Sequence, residues 1–296
     1  MPESTRTSST ARVASLPDVG NWCAVSLLGQ GRWSQVYRAR PREAAADAPA
    51  DYAIKLAAPV IDEDIDTARR LLMREALLAQ AVSHKHLTSV LSSRLNQSPY
   101  YLVMPYLEGS TLEQLLKRHG MIATPLALWI ARQTAEAAAA LHRHGWLHGD
   151  IKPSNLFIAD EGHVILLDLG LARSFGDGQI GPWPLAGTLA YLPPEAYASI
   201  VDLQPASDVY ALGVTLYRML TGRLPFEVRQ PAELAEAHLH DTPPDPRQFH
   251  PRLAVPVVQL VSAMLAKRPH RRPSMEALIR ELNRLEILTF PRRNAA

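Results

Sequence analysis

Asp150, Lys152 and Asn155 lie close together in the segment His148-Gly-Asp-Ile-Lys-Pro-Ser-Asn155, and Asp168 follows in Asp168-Leu-Gly. These side chains are of the types that phosphoryl transfer requires. A carboxylate such as Asp150 can orient an attacking hydroxyl group and accept its proton, and Lys152 can neutralise the charge that develops on the transferred group. Asn155 and Asp168 offer the hard oxygen ligands that suit Mg²⁺ shared with phosphates. The pattern therefore predicts phosphoryl-transfer chemistry.

A glycine-rich segment, Gly29-Gln-Gly-Arg-Trp-Ser-Gln-Val36, lies between two strand-like runs. Glycines allow backbone N–H groups to approach phosphate oxygens without a clash from a Cβ atom. Two glycines between strands also suit an ordinary hairpin turn, and the spacing alone leaves this alternative open. A dinucleotide-binding motif is excluded, because no helix follows the segment.

Lys55 follows Ala53 and Ile54 on another strand-like run, and Glu75 comes twenty positions later on a predicted helix. A Lys–Glu pair of this kind can hold the ammonium group toward the phosphates of a nucleotide. Taken singly, Lys55 also suits a solvated surface charge, and Glu75 suits an ion pair with a helix arginine such as Arg70. Lys55 and Glu75 are therefore a candidate nucleotide-binding pair only in combination with the other motifs of the sequence.

The elements that must position these side chains fall into two groups. The first group is strand-rich with one helix, and the second is helical apart from one hairpin. The first contains predicted strands at 24–28, 36–40, 52–57 and 100–104 and a helix at 64–82. The second contains the hairpin 156–159 and 164–167 and helices that end near 144, 220, 239, 266 and 287.

Two helix starts are predicted from local signals. Thr111 with Gln114 suits a capping box, and Thr124 before Pro125 suits an N-cap followed by proline in the first turn. Gly145 is expected to end the helix that begins at Thr124. The resulting fold class is α+β and bilobal, with a small antiparallel β-rich lobe, one helix in it, and a larger α-helical lobe. A cleft between such lobes is where ligands usually bind.

Composition excludes several classes of protein. The chain has 296 residues, 47% of them hydrophobic and 20% charged, which suits a folded core. A net charge of +2 gives no electrostatic footprint for nucleic acid, and the single Cys23 makes an internal disulfide impossible. No apolar stretch suits a signal peptide or a membrane span, so we expect a cytoplasmic protein without a membrane span.

In the order of these motifs, residues 22 to about 288 resemble the eukaryotic-like (Hanks-type) serine/threonine protein kinase family, with His-Gly-Asp in place of His-Arg-Asp. The low lysine content and the high arginine and alanine content resemble those of proteins from GC-rich bacteria. The resemblance implies a flexible Ser/Thr-rich tail at 1–20, a kinase domain at 21–289 with lobes of about 21–106 and 107–289, and a C-terminal tail at 290–296.

The resemblance also implies ATP and Mg²⁺ as cofactors and a role for each site residue. Tyr101 to Gly109 is similar to the hinge, where adenine would bond the Pro105 carbonyl and the Leu107 N–H beside the gatekeeper Met104. Gly187 to Glu195 is similar to the end of the activation segment that docks the substrate, with Thr188 against the catalytic loop. The implied catalytic residues are Asp150, Lys152 and Thr188, and the metal ligands are Asn155 and Asp168. The implied nucleotide contacts are Leu28, Gly29, Gln30, Gly31, Arg32, Trp33, Ser34, Val36, Ala53, Lys55, Glu75, Met104, Pro105 and Leu107.

Further positions are interpreted through the same resemblance. Asp208 is similar to the residue that braces the catalytic loop. Arg272, in the basic run Lys267 to Arg272, is expected to form a buried pair with Glu195 rather than to bind nucleic acid.

The chain departs from the family pattern at four positions, Ser34, Gly149, Leu169 and Pro194, none of which removes a catalytic group. His-Gly-Asp is also typical of small-molecule kinases of the aminoglycoside and choline type. Those enzymes generally lack a lysine at position 152 and have no counterpart of residues 187–195. A pseudokinase that only binds nucleotide is the other alternative, although Lys55, Asp150 and Asp168 are present.

The predicted activity is ATP-dependent phosphorylation of Ser or Thr hydroxyls of a protein substrate. We expect this activity to be independent of activation-loop phosphorylation. Gly149 replaces the arginine that receives a loop phosphate in many family members, and residues 175–187 contain no Ser, Thr or Tyr.

Overall fold

The computed structural model describes residues 17–59, 65–175, 189–198, 203–228 and 230–290. The chain divides into two compact units, Met1–Ala68 with Leu91–Tyr106, and Arg69–Val90 with Leu107–Ala296. A strand-rich unit followed by a helical one confirms the predicted fold class. Within the described ranges, no helix combines the length and the apolar character needed to cross a bilayer.

The first unit contains a six-stranded antiparallel sheet in the order β1-β2-β3-β4-β6-β5. Its strands are β1 Asp18–Val19, β2 Trp22–Gln30, β3 Ser34–Pro41, β4 Tyr52–Ala57, β5 Ser92–Arg94 and β6 Tyr101–Pro105. Tyr37, Ile54 and Val103 belong to its buried core. β1 lies inside the range predicted as a tail, because it pairs with the start of β2 and buries Val19.

Helix α1, Ile65–Ala81, follows the predicted periodicity closely. Ala68, Leu72 and Leu78 form its buried face, at helical spacing. The division between the units falls in its first turns, so that nearly all of the helix belongs to the second unit.

The second unit contains the remaining helices and three small antiparallel strand pairings. The helices are α2 Leu112–His119, α3 Thr124–Arg143, α4 Pro194–Ala198, α5 Pro205–Thr221, α6 Pro231–His240, α7 Val255–Met264 and α8 Met275–Thr289. The strands are β7 Gly109–Thr111, β8 Trp146–Leu147, β9 Leu156–Ala159, β10 Val164–Leu166 and β11 Arg173–Ser174. β9 pairs with β7 and β10, and β8 pairs with β11.

Helix α5 forms the centre of this unit. From Ser207 to Leu216 every residue of α5 is buried, and α3 and α7 pack against it. Four consecutive alanines of α3, residues 137–140, are at most 2% exposed. Small side chains on α3 allow close packing of helices.

The local signals for helix ends had different outcomes. Thr111 and Gln114 form the predicted capping box, with reciprocal hydrogen bonds of 3.2 and 2.9 Å, and Gly145 follows α3 with a φ of 79°. The predicted N-cap role of Thr124 is wrong, because Ala123 holds that position without a side-chain hydrogen bond. Proline lacks an N–H and suits either of the first two helical positions, so Pro125 did not fix the position of the cap.

Candidate active site

Asp208 of α5 binds the backbone of the segment His148–Asp150. The Asp208 carboxylate accepts hydrogen bonds from the backbone N–H of His148 and of Gly149, both at 2.9 Å. The same carboxylate lies 2.8 Å from Nε2 of His142 on α3. Burial opposes the ionisation of Asp208, but the hydrogen bond and the charge of His142 keep its pKa below the usual range. The expected bracing role of Asp208 therefore has a geometric basis.

Gly149 has a φ of 75°, which side-chain-bearing residues rarely adopt. A Cβ atom at this position would meet the Leu171 carbonyl oxygen at 3.1 Å. The backbone thus favours glycine here, and Asp150 follows it directly.

His148 connects the segment to Leu167, the residue that follows β10. Its Nδ1 accepts the N–H of Asp150 at 3.2 Å, so Nε2 carries the proton and donates to the Leu167 carbonyl at 3.0 Å. The side chain is fully buried. This fixed ring orients the backbone of Asp150.

Asp150 is 8% exposed, and its carboxylate has two neighbours at the same oxygen. Oδ2 lies 2.7 Å from Lys152 Nζ and accepts a hydrogen bond of 2.8 Å from Asn155 Nδ2. Burial raises the pKa of Asp150, the charge of Asp168 raises it further, and Lys152 opposes the rise. Within the described residues, these contacts leave Oδ1 as the oxygen that can meet a substrate hydroxyl.

Asn155 and Asp168 are suited to a hard metal ion. The Asn155 amide nitrogen donates both to Asp150 Oδ2 and to the Asp150 carbonyl, the latter at 2.9 Å, so the amide oxygen is the atom that can serve as a ligand. Asp168 has a φ of 65° and accepts the Gly170 N–H at 3.3 Å through Oδ1. The described residues contain no group of three or more His, Cys, Asp or Glu side chains that could hold a metal. One amide oxygen and one carboxylate are hard donors of the kind that suits Mg²⁺ shared with phosphates.

The glycine-rich segment contains the end of β2, the turn at residues 31–33 and the start of β3 in the first unit. The turn is closed by the Gly31 N–H, which donates to the Ser34 carbonyl at 2.8 Å, and the Arg32 guanidinium lies 4.7 Å from the centre of the Trp33 ring. Neither Gly29 nor Gly31 has a positive φ, and a Cβ atom at Gly29 would meet no atom within 4 Å. Gly29 itself lies in β2, beside an irregularity in its pairing with β3 between Leu27 and Gly29.

Further predicted nucleotide contacts lie on the neighbouring strands β3, β4 and β6 of the sheet. Lys55 is 8% exposed and lies opposite Val36 on one side and Leu102 on the other. Ala53 lies opposite Met104, on the same strands. The register thus places a buried lysine one pleat away from the predicted adenine-binding end of β6.

The hinge residues lie where β6 ends. Pro105 is its last residue and pairs with Tyr52. The Tyr106 N–H donates to the Asp51 carbonyl at 2.9 Å, and the Arg38 guanidinium lies 4.0 Å from the centre of the Tyr106 ring. These contacts fix the backbone next to the carbonyl of Pro105.

The predicted site residues thus form separate groups. Asp150, Lys152, Asn155 and Asp168 come together in the second unit, which also contains Leu107 and Glu75, the latter 2% exposed. Thr188 lies outside the described residues. The remaining predicted nucleotide contacts belong to the first unit: Leu28, Gly29, Gln30, Gly31, Arg32, Trp33, Ser34, Val36, Ala53, Lys55, Met104 and Pro105.

Sequence patterns did not reveal the contacts that hold the segment Leu189–Tyr191. Tyr197 of α4 donates to the Leu189 carbonyl, and Arg218 of α5 donates to the Tyr191 hydroxyl. The expected pair of Arg272 with Glu195 is present, with hydrogen bonds of 2.7 and 2.8 Å and an arginine side chain that is fully buried. Short motifs contain no signal for the contact of Arg218 with Tyr191, because these residues are 27 positions apart in the chain.

Residues 22–282 match the family described as protein kinase domain. The chain belongs to this family. It is 32% identical over 254 residues to the serine/threonine-protein kinase PknJ of Mycobacterium tuberculosis, covering 83% of this chain and 42% of that protein. It is 30% identical over 254 residues to the serine/threonine-protein kinase PrkC of Bacillus subtilis, covering 86% of this chain and 38% of that protein.

A third relative is the serine/threonine-protein kinase PknK of Mycobacterium tuberculosis, 32% identical over 272 residues, or 91% of this chain and 24% of that protein. These matches confirm the resemblance to bacterial kinases of the Hanks type. The kinase domain described here spans less than half the length of each of these relatives.

Proposed function

We propose that this kinase domain transfers the γ-phosphoryl group of ATP to Ser or Thr hydroxyls of a protein. The observation that supports this most strongly is the Asp150 carboxylate, whose Oδ2 is held by Lys152 and Asn155. Oδ1 orients the attacking hydroxyl and accepts its proton, and Lys152 stabilises the charge on the transferred group.

The nucleotide contacts follow from the family pattern. The backbone of the glycine-rich segment covers the phosphates, and Lys55, positioned by Glu75, neutralises part of their charge. The Pro105 carbonyl and the Leu107 N–H bond adenine, and Leu28, Val36, Ala53 and Met104 supply apolar contacts. Pro105 suits its position, because only its carbonyl is needed there.

Asn155 and Asp168 would hold Mg²⁺ through the amide oxygen and the carboxylate. When bound, the ion neutralises phosphate charge and orients the phosphoryl group. Asp150 is not proposed as a metal ligand, because its Oδ2 is already bonded to Lys152 and Asn155. It keeps the role of proton acceptor.

A protein substrate is favoured over a small molecule by two features of the second unit. Lys152 contacts Asp150. Small-molecule kinases generally lack a lysine at the position of Lys152. The chain also has residues 187–195, which small-molecule kinases lack and which the family pattern assigns to docking of the protein substrate; within them, Tyr197 and Arg218 hold Leu189 and Tyr191. Because ATP is the proposed phosphoryl donor, we propose that the reaction takes place in the cytoplasm.

We also propose that activity does not depend on phosphorylation of the activation loop. Gly149 has no side chain that could bind a loop phosphate, and its φ of 75° disfavours any replacement that has one.

The test is an assay with labelled ATP, Mg²⁺ and a Ser/Thr-rich protein such as casein, with choline and an aminoglycoside as parallel acceptors. We expect label in phosphoserine or phosphothreonine of the protein. Label that enters only the small molecules would support the alternative class instead. ATP binding without transfer to any acceptor would mean a pseudokinase.

A further inference from the structure

Arg218 is a charged side chain that the catalytic scheme does not use. It lies in the last turn of α5 and is hydrogen-bonded to two other elements of the second unit. Its Nη1 donates to Glu113 Oε2 at 2.7 Å and its Nη2 donates to Glu113 Oε1 at 3.2 Å, in the first turn of α2. Nη1 also donates to the Tyr191 hydroxyl at 2.6 Å. One guanidinium group therefore joins α2, α5 and the segment Leu189–Tyr191.

The three side chains of Glu113, Arg218 and Tyr191 form a bridge that is largely shielded from water. Those of Arg218 and Glu113 are 22% and 24% exposed, and Tyr191 is buried. Burial opposes the charge on Arg218, but its bonds to Glu113 and Tyr191 raise its pKa above the usual value. Exposed Lys117 comes only within 3.8 Å of Glu113, which is beyond hydrogen-bond distance. The Glu113 carboxylate therefore depends on the two-pronged bond from Arg218.

Helix α2, which supplies Glu113, lies against the catalytic segment 148–155. It packs against the last three residues of that segment, and Leu112 belongs to the same buried core as Leu156. The first turn of α2, where Glu113 is located, is held by the capping box described above. The bridge thus connects Tyr191 to a helix that is fixed beside the catalytic segment.

Different contacts hold the first two residues of the segment Leu189–Tyr191. The Tyr197 hydroxyl donates to the Leu189 carbonyl at 2.6 Å. The Tyr197 ring stacks on His238, whose Nδ1 lies 2.9 Å from the Tyr210 hydroxyl. Leu189 and Ala190 pack against the apolar cluster of Phe226, Leu234 and Ala237. These contacts come from α4 and α6 and from the residues after α5, so the bond from Arg218 is the one that joins the segment to α2.

We propose that Arg218 is a positioning residue for the protein substrate, because it fixes the docking segment, Leu189–Tyr191, to α2 through the Tyr191 hydroxyl. The inference rests on the proposed function, since the family pattern assigns this segment to substrate docking. A segment released from the bridge spends less time in its binding conformation, and the apparent affinity for the protein falls by that fraction. The bridge contains none of the proposed catalytic or nucleotide-binding residues, so the kcat and the KM for ATP should not change.

The kinetic test uses the two ends of one hydrogen bond. Tyr191→Phe removes only the hydroxyl and leaves the ring and the pair of Arg218 with Glu113 in place. We expect it to raise the KM for a protein substrate about fivefold to tenfold, as for one lost hydrogen bond, with kcat and the KM for ATP nearly unchanged. Arg218→Met removes the donor and should raise the KM for the protein at least as much. An unchanged KM for the protein in Tyr191→Phe, or an equal rise in the KM for ATP, would overturn the inference.

The double variant tests whether both substitutions act through the same contact. Once Arg218→Met has removed the donor, the Tyr191 hydroxyl has no further effect, so the double variant should have the KM of Arg218→Met alone. Lys117→Met is the matched control, because it removes a second cation near Glu113 and should leave all kinetic constants unchanged. Fold-changes that multiply in the double variant, or a rise in Lys117→Met equal to that in Tyr191→Phe, would contradict the inference.

A second measurement does not depend on activity. The Leu192 N–H donates to the Leu189 carbonyl at 3.1 Å and closes the turn of the docking segment. Hydrogen–deuterium exchange in a peptide that contains residues 189–192 should be faster in Tyr191→Phe than in the unmodified chain or in Lys117→Met. Equal exchange in all three would overturn the inference whatever the activity. Faster exchange in Tyr191→Phe, together with an unmodified chain that transfers no phosphate, would count against the proposed function alone, and peptide affinity would then replace KM in the comparison.

Discussion

The Asp150 carboxylate is subject to two opposing influences. Burial raises its pKa above the usual 3.8, and Lys152 at 2.7 Å lowers it. The proposed base works only when ionised, so the rate must fall as the pH drops through this pKa. We expect Lys152→Met to lower kcat and to move the acid limb of its pH profile upward, because the opposing charge is lost.

Lys117→Met is the control for that profile, since its ammonium group is 72% exposed and pairs with Glu113 instead. Its acid limb should coincide with that of the unmodified chain. An acid limb of Lys152→Met that stays in place or moves downward would contradict the assigned ion pair.

A buried ion pair and an exposed one provide a second comparison at this scale. The Arg272 side chain is fully buried against Glu195, whereas Arg284 is 56% exposed beside Glu281. Arg272→Ala leaves Glu195 without its partner and should reduce the free energy of unfolding by about 3–5 kcal/mol. Arg284→Ala should leave it nearly unchanged. Urea denaturation measures both, and equal effects would contradict the burial that distinguishes them.

At the scale of elements, the contact between α5 and α7 makes a prediction against helix propensity. Gly213 lies inside α5, where alanine would ordinarily be favoured by about 1 kcal/mol. A Cβ atom there would lie 2.8 Å from Met264 Cβ and 3.2 Å from Leu265 Cδ2. We expect Gly213→Ala to destabilise the protein by about 1–3 kcal/mol, and Gly213→Val to do so further. Thermal unfolding measures this, and a stabilised alanine variant would contradict the close packing.

Elements with local signals were predictable from the sequence. The capping box at Thr111 depends on residues three positions apart, and the periodicity of α1 depends on a single apolar face. The start of α3 was less certain locally, because Pro125 suits more than one position in the first turn. Boundaries that depend on tertiary contacts, such as β1 against β2, had no signal in the tail composition.

The same contrast separates the parts of the candidate site. Asp150, Lys152 and Asn155 are close in sequence, and their motif pointed to their grouping. The contact of His142 with Asp208 joins positions 66 residues apart, and that of Tyr210 with His238 joins positions 28 apart. Such pairs depend on how α3, α5 and α6 pack, which no local pattern specifies.

At the scale of the whole molecule, regulation can be tested on the purified chain. We expect phosphatase treatment to leave its activity toward a generic Ser/Thr protein nearly unchanged, since Gly149 offers no partner for a loop phosphate and Leu189–Tyr191 is held by side chains. The measurement compares initial rates before and after treatment, with phosphate removal verified by mass spectrometry. Loss of most activity, restored by ATP and traced to Ser174 or Thr188, would contradict the proposal.

Substitution of Asp150 tests the central claim most directly. Asp150→Asn keeps the size of the side chain but removes the proton acceptor, so phosphoryl transfer to a protein should fall by about 10²–10⁴-fold while ATP affinity stays nearly the same. Asp160→Asn, at an exposed turn of the same unit, should match the unmodified chain in both measurements. Transfer by Asp150→Asn at a rate close to that of Asp160→Asn would contradict the assignment of Asp150 as the base, and with it the proposed mechanism.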